Sequence, residues 1–79
     1  MKITYNNMDK LLVMKITEEI DHHTAKKIRS RADFEIGKTM PKKVIFDFSE
    51  VDFMDSSGIG MVIGRYKLVS MFRWKTLFI

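Results

Sequence analysis

Residues 53–60, with the sequence Phe-Met-Asp-Ser-Ser-Gly-Ile-Gly, carry the most suggestive chemistry of this chain. Asp55 and Ser56 stand where a helix is expected to begin. The first N–H groups of a helix are unpaired and lie at the positive end of its dipole, so an oxyanion or phosphate is stabilised nearby. Ordinary helix capping also explains one polar residue at this place, without any function. Both interpretations stay open on this segment alone.

Three glycines, Gly58, Gly60 and Gly64, fall inside the predicted helix. Glycine in a helix interior costs about 1 kcal/mol relative to alanine, and capping does not account for it. Such residues need a reason, for example the close approach of another backbone or of a protein surface. The glycines therefore favour a binding surface on this helix.

The motifs of enzymes and of metal sites are incomplete. A dinucleotide fingerprint needs glycine where Ile63 stands, and a hydrolase nucleophile elbow needs glycine where Met54 stands. Asp21-His22-His23 resembles the start of a metal site, but the sequence has only two histidines and no cysteine to complete it. We expect no enzyme activity, no cofactor and no metal ion, and a chain that is acted upon.

Length and charge narrow the class further. The 79 residues make one domain, residues 1–79. The net charge of +4 divides into a basic segment 1–43, an acidic segment 44–60 and a basic segment 61–79, unlike the continuous basic face that binds nucleic acid. No apolar run approaches the roughly 18 residues of a membrane span. We expect a soluble chain that binds neither nucleic acid nor membrane, and the absence of cysteine fits a cytoplasmic location without requiring it.

The apolar periodicity predicts the order β-β-α-β-α-β. A helix between two strands most often makes a right-handed crossover, so the fold class is α/β, a mixed sheet with helices packed on it. The middle strand has little polar alternation and is expected to be buried on both faces. The predicted elements are a hairpin at 2–6 and 11–17, a helix from Asp21 to Gly37, a strand at 43–49, a helix after Asp55 and a strand at 74–79.

The second predicted helix has one apolar face. The strand after it ends at Leu77-Phe78-Ile79, which leaves apolar surface and an open sheet edge. We expect either a shortened chain or a second chain at this edge, as a homodimer or strand-swapped oligomer. The residues of the apolar helix face are Ile59, Val62, Ile63, Tyr66, Val69 and Phe72.

Three segments together resemble a known family. Residues 19–25 (Glu-Ile-Asp-His-His-Thr-Ala), 53–60 and 64–67 (Gly-Arg-Tyr-Lys) strongly resemble the anti-sigma factor antagonists of the STAS family, in its sporulation branch. The resemblance covers roughly residues 2–71. It implies a STAS-like α/β domain that lacks the family's C-terminal helix and strand.

The resemblance also implies a partner switch. Ser56 matches the serine that an anti-sigma factor serine kinase phosphorylates in this family. A phosphatase removes the phosphate again, and the dephosphorylated antagonist binds the kinase, which releases the sigma factor. The alternatives are a stress-response antagonist with another kinase, an enzyme or nucleotide-binding protein, and a form that mainly self-associates. The partner-binding residues implied by the match are Asp21, His23, Asp55, Ser57, Gly58, Gly60, Gly64 and Arg65.

Overall fold

After an opening hairpin, helices and strands alternate along the chain, and the strands form one mixed sheet in which each strand pairs with the next one in sequence. The structure is a computed structural model that describes residues 1–71 and 75–79. β1 and β2 are antiparallel, whereas β2 with β3 and β3 with β4 are parallel. The predicted α/β class and element order are confirmed. The elements are β1 (Lys2–Asn6), β2 (Leu11–Lys15), α1 (His22–Thr39), β3 (Lys43–Asp47), α2 (Ser56–Met71) and β4 (Lys75–Phe78).

The core lies between one face of the sheet and the helices. Alternate residues of β2 and β3 are fully buried, as the two-residue period of a strand requires when one face is covered. Within the described ranges, neither helix combines the length and hydropathy needed to cross a membrane. Glu35 of α1 is buried as well. The buried apolar residues of β2, β3 and α1 are Leu12, Met14, Val44, Phe46, Ala25, Ile28, Ala32 and Ile36.

β3 is buried on one face only. Val44 and Phe46 are fully buried, but Ile45 between them is half-buried. The prediction of a strand buried on both faces is therefore wrong. Two right-handed crossovers that run the same way along a sheet place both helices on the same face, and α1 and α2 accordingly contact each other.

α1 begins as predicted and ends later than predicted. The Asp21 carboxylate accepts hydrogen bonds from the backbone N–H groups of His23 and Thr24. The Thr24 hydroxyl in turn accepts a hydrogen bond from the Asp21 N–H, which completes a capping box. The helix continues beyond Gly37 and ends at Met40, which adopts a left-handed backbone with φ of 48°. Pro41 disfavours helical backbone at the residue before it, so the stop falls here and not at the glycine.

α2 is rotated relative to the prediction. Ile59 and Ile63 belong to the predicted apolar face, yet they are 57% and 51% exposed. Among the α2 residues whose burial the structure describes, Gly58 and Met61 are buried, and Val62 and Arg65 are among the half-buried ones. These four positions follow the i, i+3, i+4, i+7 spacing of a helix face, so the predicted apolar face is wrong by about one residue, or ~100°. The burial of Tyr66, Val69 and Phe72, and the predicted strand residue Trp74, lie outside what the structure describes.

We expect Asp21→Ala to lower the melting temperature at neutral pH, because the change removes the acceptor that caps α1. Asp21→Asn should lower it less, since an amide oxygen still accepts both N–H bonds. The hydrogen bond from the Thr24 backbone holds the pKa of Asp21 below its ordinary value.

The sign of the pH dependence follows from that lowered pKa. The contribution of Asp21 is complete above the ordinary value and is lost as the pH falls through the lowered one. The difference in melting temperature between wild type and Asp21→Ala should therefore be full at neutral pH and shrink as the pH falls below the ordinary pKa of an aspartate. Thermal unfolding followed by circular dichroism measures it, and a constant difference would contradict this account.

Candidate functional site

The two helices begin side by side because the loops before them are paired. Ile20 and Met54 form an isolated parallel bridge. The Ile20 N–H donates to the Phe53 carbonyl at 2.9 Å, and the Asp55 N–H donates to the Ile20 carbonyl at 3.0 Å. The residues that follow this bridge, Asp21 and Asp55, thus lie at the same end of the sheet.

Asp55 caps α2. Its Oδ1 accepts a hydrogen bond from the Ser57 N–H at 2.9 Å, and its carbonyl accepts one from the Gly58 N–H at 3.1 Å. Ser56, the first residue of α2, is exposed, and no hydrogen bond holds its hydroxyl to the rest of the described chain. The hydroxyl is therefore free to approach another molecule at the positive end of a helix dipole.

The charged and aromatic residues at the start of α1 lie at the surface. Asp21 is exposed, but its carboxylate is committed to the capping box. His23 is exposed, and its ring stands edge-on to that of His22, with the centroids 5.9 Å apart. Asp21 and His23 are available to a partner at the surface, next to the start of α2.

The three glycines differ in their surroundings. A Cβ added at Gly58 would lie 2.9 Å from Ile20 Cγ2 and closer still to the Met54 side chain, so the chain's own core explains this glycine. A Cβ at Gly60 or Gly64 would meet nothing within 4 Å. Intramolecular packing therefore explains one glycine and leaves the other two for a different role.

A groove of about 510 Å³ separates α1 from α2. Four predicted site residues, Ser57, Gly60, Gly64 and Arg65, line its α2 side. Lys26 and Arg29 are among the residues that line its α1 side. The other predicted positions, Asp21, His23, Asp55, Ser56 and Gly58, do not line the groove.

Large apolar side chains close to Ser56 in the sequence are exposed, and the sequence analysis did not predict this exposure. Phe53 is 54% exposed, and Ile59 and Ile63, one turn apart on α2, are both more than half exposed. Large apolar side chains in this position are typical of a surface that another protein covers. The sequence signal for this exposure was that α2 has apolar residues on more than one side. Periodicity alone could not tell which of these sides faces the core.

The family follows from the comparison of the whole chain with known proteins. Residues 2–71 match the STAS domain model, so the chain belongs to the STAS domain family. One relative, the anti-sigma F factor antagonist of Paenibacillus polymyxa, is 35% identical over 60 residues, which are 76% of this chain and 51% of that protein. Another, from Lysinibacillus sphaericus, is 30% identical over 66 residues, covering 84% of this chain and 56% of that protein. The chain thus spans about half the length of these curated relatives.

Solved structures agree with the fold. The anti-sigma factor antagonist SpoIIAA in its unphosphorylated form superposes with a TM-score of 0.80 at 27% identity, covering 98% of this chain and 69% of that one. The Bacillus cell fate determinant SpoIIAA in its phosphorylated form superposes with a TM-score of 0.77 at 28% identity, covering 95% of this chain and 67% of that one. The sequence-based assignment to this family is confirmed.

We expect opposite effects from alanine at the glycines. Gly58→Ala should destabilise the fold by about 1–3 kcal/mol, because the new methyl group overlaps Met54 and Ile20. Gly60→Ala and Gly64→Ala should each stabilise it by about 0.5–1 kcal/mol, because alanine favours the helix and meets open space. Urea unfolding of the three variants measures this difference, and an equal loss at all three positions would disprove it.

Proposed function

We propose that this chain is an anti-sigma factor antagonist of the sporulation type. It binds an anti-sigma factor serine kinase while Ser56 is unphosphorylated, which frees the sigma factor, and phosphorylation of Ser56 ends the binding. The observation that carries the proposal is the exposed, unbonded Ser56 hydroxyl at the start of α2, beside a capping Asp55. The antagonists among the relatives and the two forms of SpoIIAA support it.

The electrostatics suit a switch. A phosphoserine carries about −1.5 to −2 charges. At Ser56 the helix dipole attracts this charge while Asp55 repels it, so the two local effects oppose each other and the fold tolerates the modification. One new like-charge pair with the partner at about 5 Å, with an effective dielectric constant near 20, costs roughly 3 kcal/mol, or about two decades in affinity.

Apolar contacts supply the attraction that phosphorylation opposes. Ile59 and Ile63 present exposed branched side chains one helical turn apart, and Gly60 and Gly64 allow a partner to approach the helix backbone. Buried apolar anchors carry most of the free energy in protein interfaces. The proposed contact surface therefore comprises the predicted residues together with Phe53, Ile59 and Ile63.

A phosphatase returns Ser56 to its hydroxyl form, and the cycle runs in the cytoplasm. The chain itself acts as a substrate and not as an enzyme. A stress-response kinase is the alternative partner, and a comparison of which anti-sigma factor the chain captures separates the two.

Self-association is a second candidate property, because β4 lies at an edge of the sheet formed by the described residues. Backbone groups on an edge strand are free to pair with another chain. A homodimer or strand-swapped oligomer through this edge would appear in light scattering coupled to size exclusion. A monomer at every concentration would exclude it without affecting the kinase proposal.

Incubation with a sporulation-type anti-sigma kinase and Mg-ATP should add one phosphoryl group, located at Ser56 by fragmentation mass spectrometry. Ser56→Ala should bind the kinase but acquire no phosphate. The matched control is Ser57→Ala, which should still be phosphorylated at Ser56. Phosphate on Ser57, or no phosphate where a full-length antagonist is modified, would overturn the proposal.

Ile59→Ser and Ile63→Ser should each weaken kinase binding about tenfold or more, because each removes a buried apolar contact from the interface. Their melting temperatures should change little, since both side chains are exposed in the free chain. Phe34→Ser on α1 is the control, because Phe34 is 62% exposed and lies outside the proposed surface. If calorimetry gave Ile59→Ser and Ile63→Ser the same affinity for the kinase as Phe34→Ser and the wild type, the two isoleucines would not be part of the interface.

A further inference from the structure

The inward face of α2 contains one largely buried charged group among the residues whose burial the structure describes. Arg65 carries this guanidinium group on a side chain that is only 11% exposed, and the other described members of the face are Gly58, Met61 and Val62. Moving a charge out of water is unfavourable unless an opposite charge compensates it. Arg65 therefore needs a partner within the fold.

Asp33 of α1 is that partner. Arg65 Nε lies 2.8 Å from Asp33 Oδ1. Nε and Nη1 are buried and, in spite of this distance, form no hydrogen bond within the described chain, so the contact acts through charge and not through bond direction. Among the ion pairs of the described residues, it alone joins the two helices. The pair therefore connects α2 to α1 at one defined point.

Arg65 and the exposed α2 residues of the proposed contact surface lie on opposite sides of the helix. Successive helix residues are about 100° apart, so Arg65 lies about 160° from Ile63 and about 180° from Ser56 around the helix axis. The exposures agree, because Ile63 is 51% exposed and Ser56 is exposed as well. A molecule that covers Ser56 and Ile63 from outside therefore does not reach the guanidinium group beside Asp33.

A second contact on the inward face of α2 lies at Gly58. The close packing of Gly58 against Ile20 and Met54 sets the rotation of the helix at its start. Arg65 follows about two turns, or ~10 Å, further along the axis. One contact at the start leaves the later turns free to tilt, whereas two contacts on one face fix the direction of the helix as well as its rotation. The pair with Asp33 therefore lies where it can hold the later turns of α2.

We infer that Arg65 is a positioning residue, whose ion pair with Asp33 holds α2 against α1 in the rotation that presents Ser56 and Ile63 to the kinase. The inference rests on the proposed function. It gives Arg65, which the resemblance groups with the partner-binding residues, an indirect part in kinase binding. It also assigns a part in kinase binding to Asp33, which neither the motifs nor the resemblance single out.

A double-mutant cycle of Arg65→Gln and Asp33→Asn tests this inference, with binding to a sporulation-type anti-sigma kinase measured by calorimetry. Each single change breaks the same ion pair, so each should weaken kinase binding about threefold or more. The double variant should bind within about twofold of the weaker single variant, because the pair is already lost in each. A loss in Arg65→Gln with none in Asp33→Asn would indicate direct contact of Arg65 with the kinase and overturn the inference. No loss in either variant would overturn it as well.

Arg31→Gln is the matched control. It removes the ion pair of Arg31 with Glu35, and both of these residues lie on α1. The change should lower the melting temperature, since Glu35 is buried, but it should leave the kinase affinity within about twofold of the wild type. A loss of affinity in Arg31→Gln equal to that in Arg65→Gln would indicate general destabilisation and contradict a positioning role.

A charge swap adds a rescue experiment. Asp33→Arg/Arg65→Asp restores an attraction between the two helices, so it should bind the kinase at least about threefold more tightly than Arg65→Asp alone. The swap would not rescue a direct contact of Arg65 with the kinase, because α2 would still carry the opposite charge. A folded swap variant that binds no better than Arg65→Asp would overturn the inference. If circular dichroism shows the swap variant to be unfolded, the cycle of Arg65→Gln and Asp33→Asn decides.

Two measurements on the free chain separate this inference from the proposed function. Urea unfolding of the double-mutant cycle should show the same coupling without a kinase, and Arg65→Gln and Asp33→Asn should shift the same α2 resonances, including Ile63, in amide NMR spectra. If the wild type did not bind the kinase, the proposed function would fail while these two measurements still tested the contact between the helices. Additive losses in urea, or different sets of shifted resonances, would overturn it.

Discussion

The short backbone bridge between Ile20 and Met54 is the constraint that fixes how the starts of the two helices lie relative to each other. Two loops that are far apart in sequence are joined there by hydrogen bonds of 2.9 and 3.0 Å. Each loop leads directly into a helix, so the bridge brings together the starts of α1 and α2. Without it, the loop backbones would keep conformational freedom whose loss costs roughly 1–2 kcal/mol per residue, and the two capping aspartates would have no fixed relation.

Charge is unevenly distributed around this end. The carboxylates of Asp21 and Asp55 turn toward helix N–H groups, and Asp33 is paired with Arg65. The acidic groups are therefore occupied within the fold, while the Ser56 hydroxyl and the isoleucines of α2 face outward. The exposed surface around Ser56, Ile59 and Ile63 is therefore largely apolar, which is a setting where one added phosphate has a large effect.

Features that depend on residues close together in sequence could be predicted, whereas features that depend on contacts between distant residues could not. The Asp21 cap could be predicted because Thr24, only three residues away, completes it. The end of α1 was misplaced because Pro41 outweighed Gly37. The outward side of α2 was misassigned because Gly58 meets Ile20, which is distant in sequence, and periodicity carries no information on such a contact. Ser56 could be singled out from the sequence because its neighbours form a recognisable motif, and its role stays a prediction.

Gly58 has a consequence for how an alignment of relatives should be interpreted. This residue sets the rotation of α2, since the missing side chain lets the helix lie against Met54 and Ile20. Glycine at position 58 in a relative therefore indicates only that α2 packs against the core of that protein in the same orientation. Gly60 and Gly64 meet nothing in their own chain, and folding alone would let alanine replace them. If glycine were nevertheless invariant at those two positions, contact with another molecule would explain it.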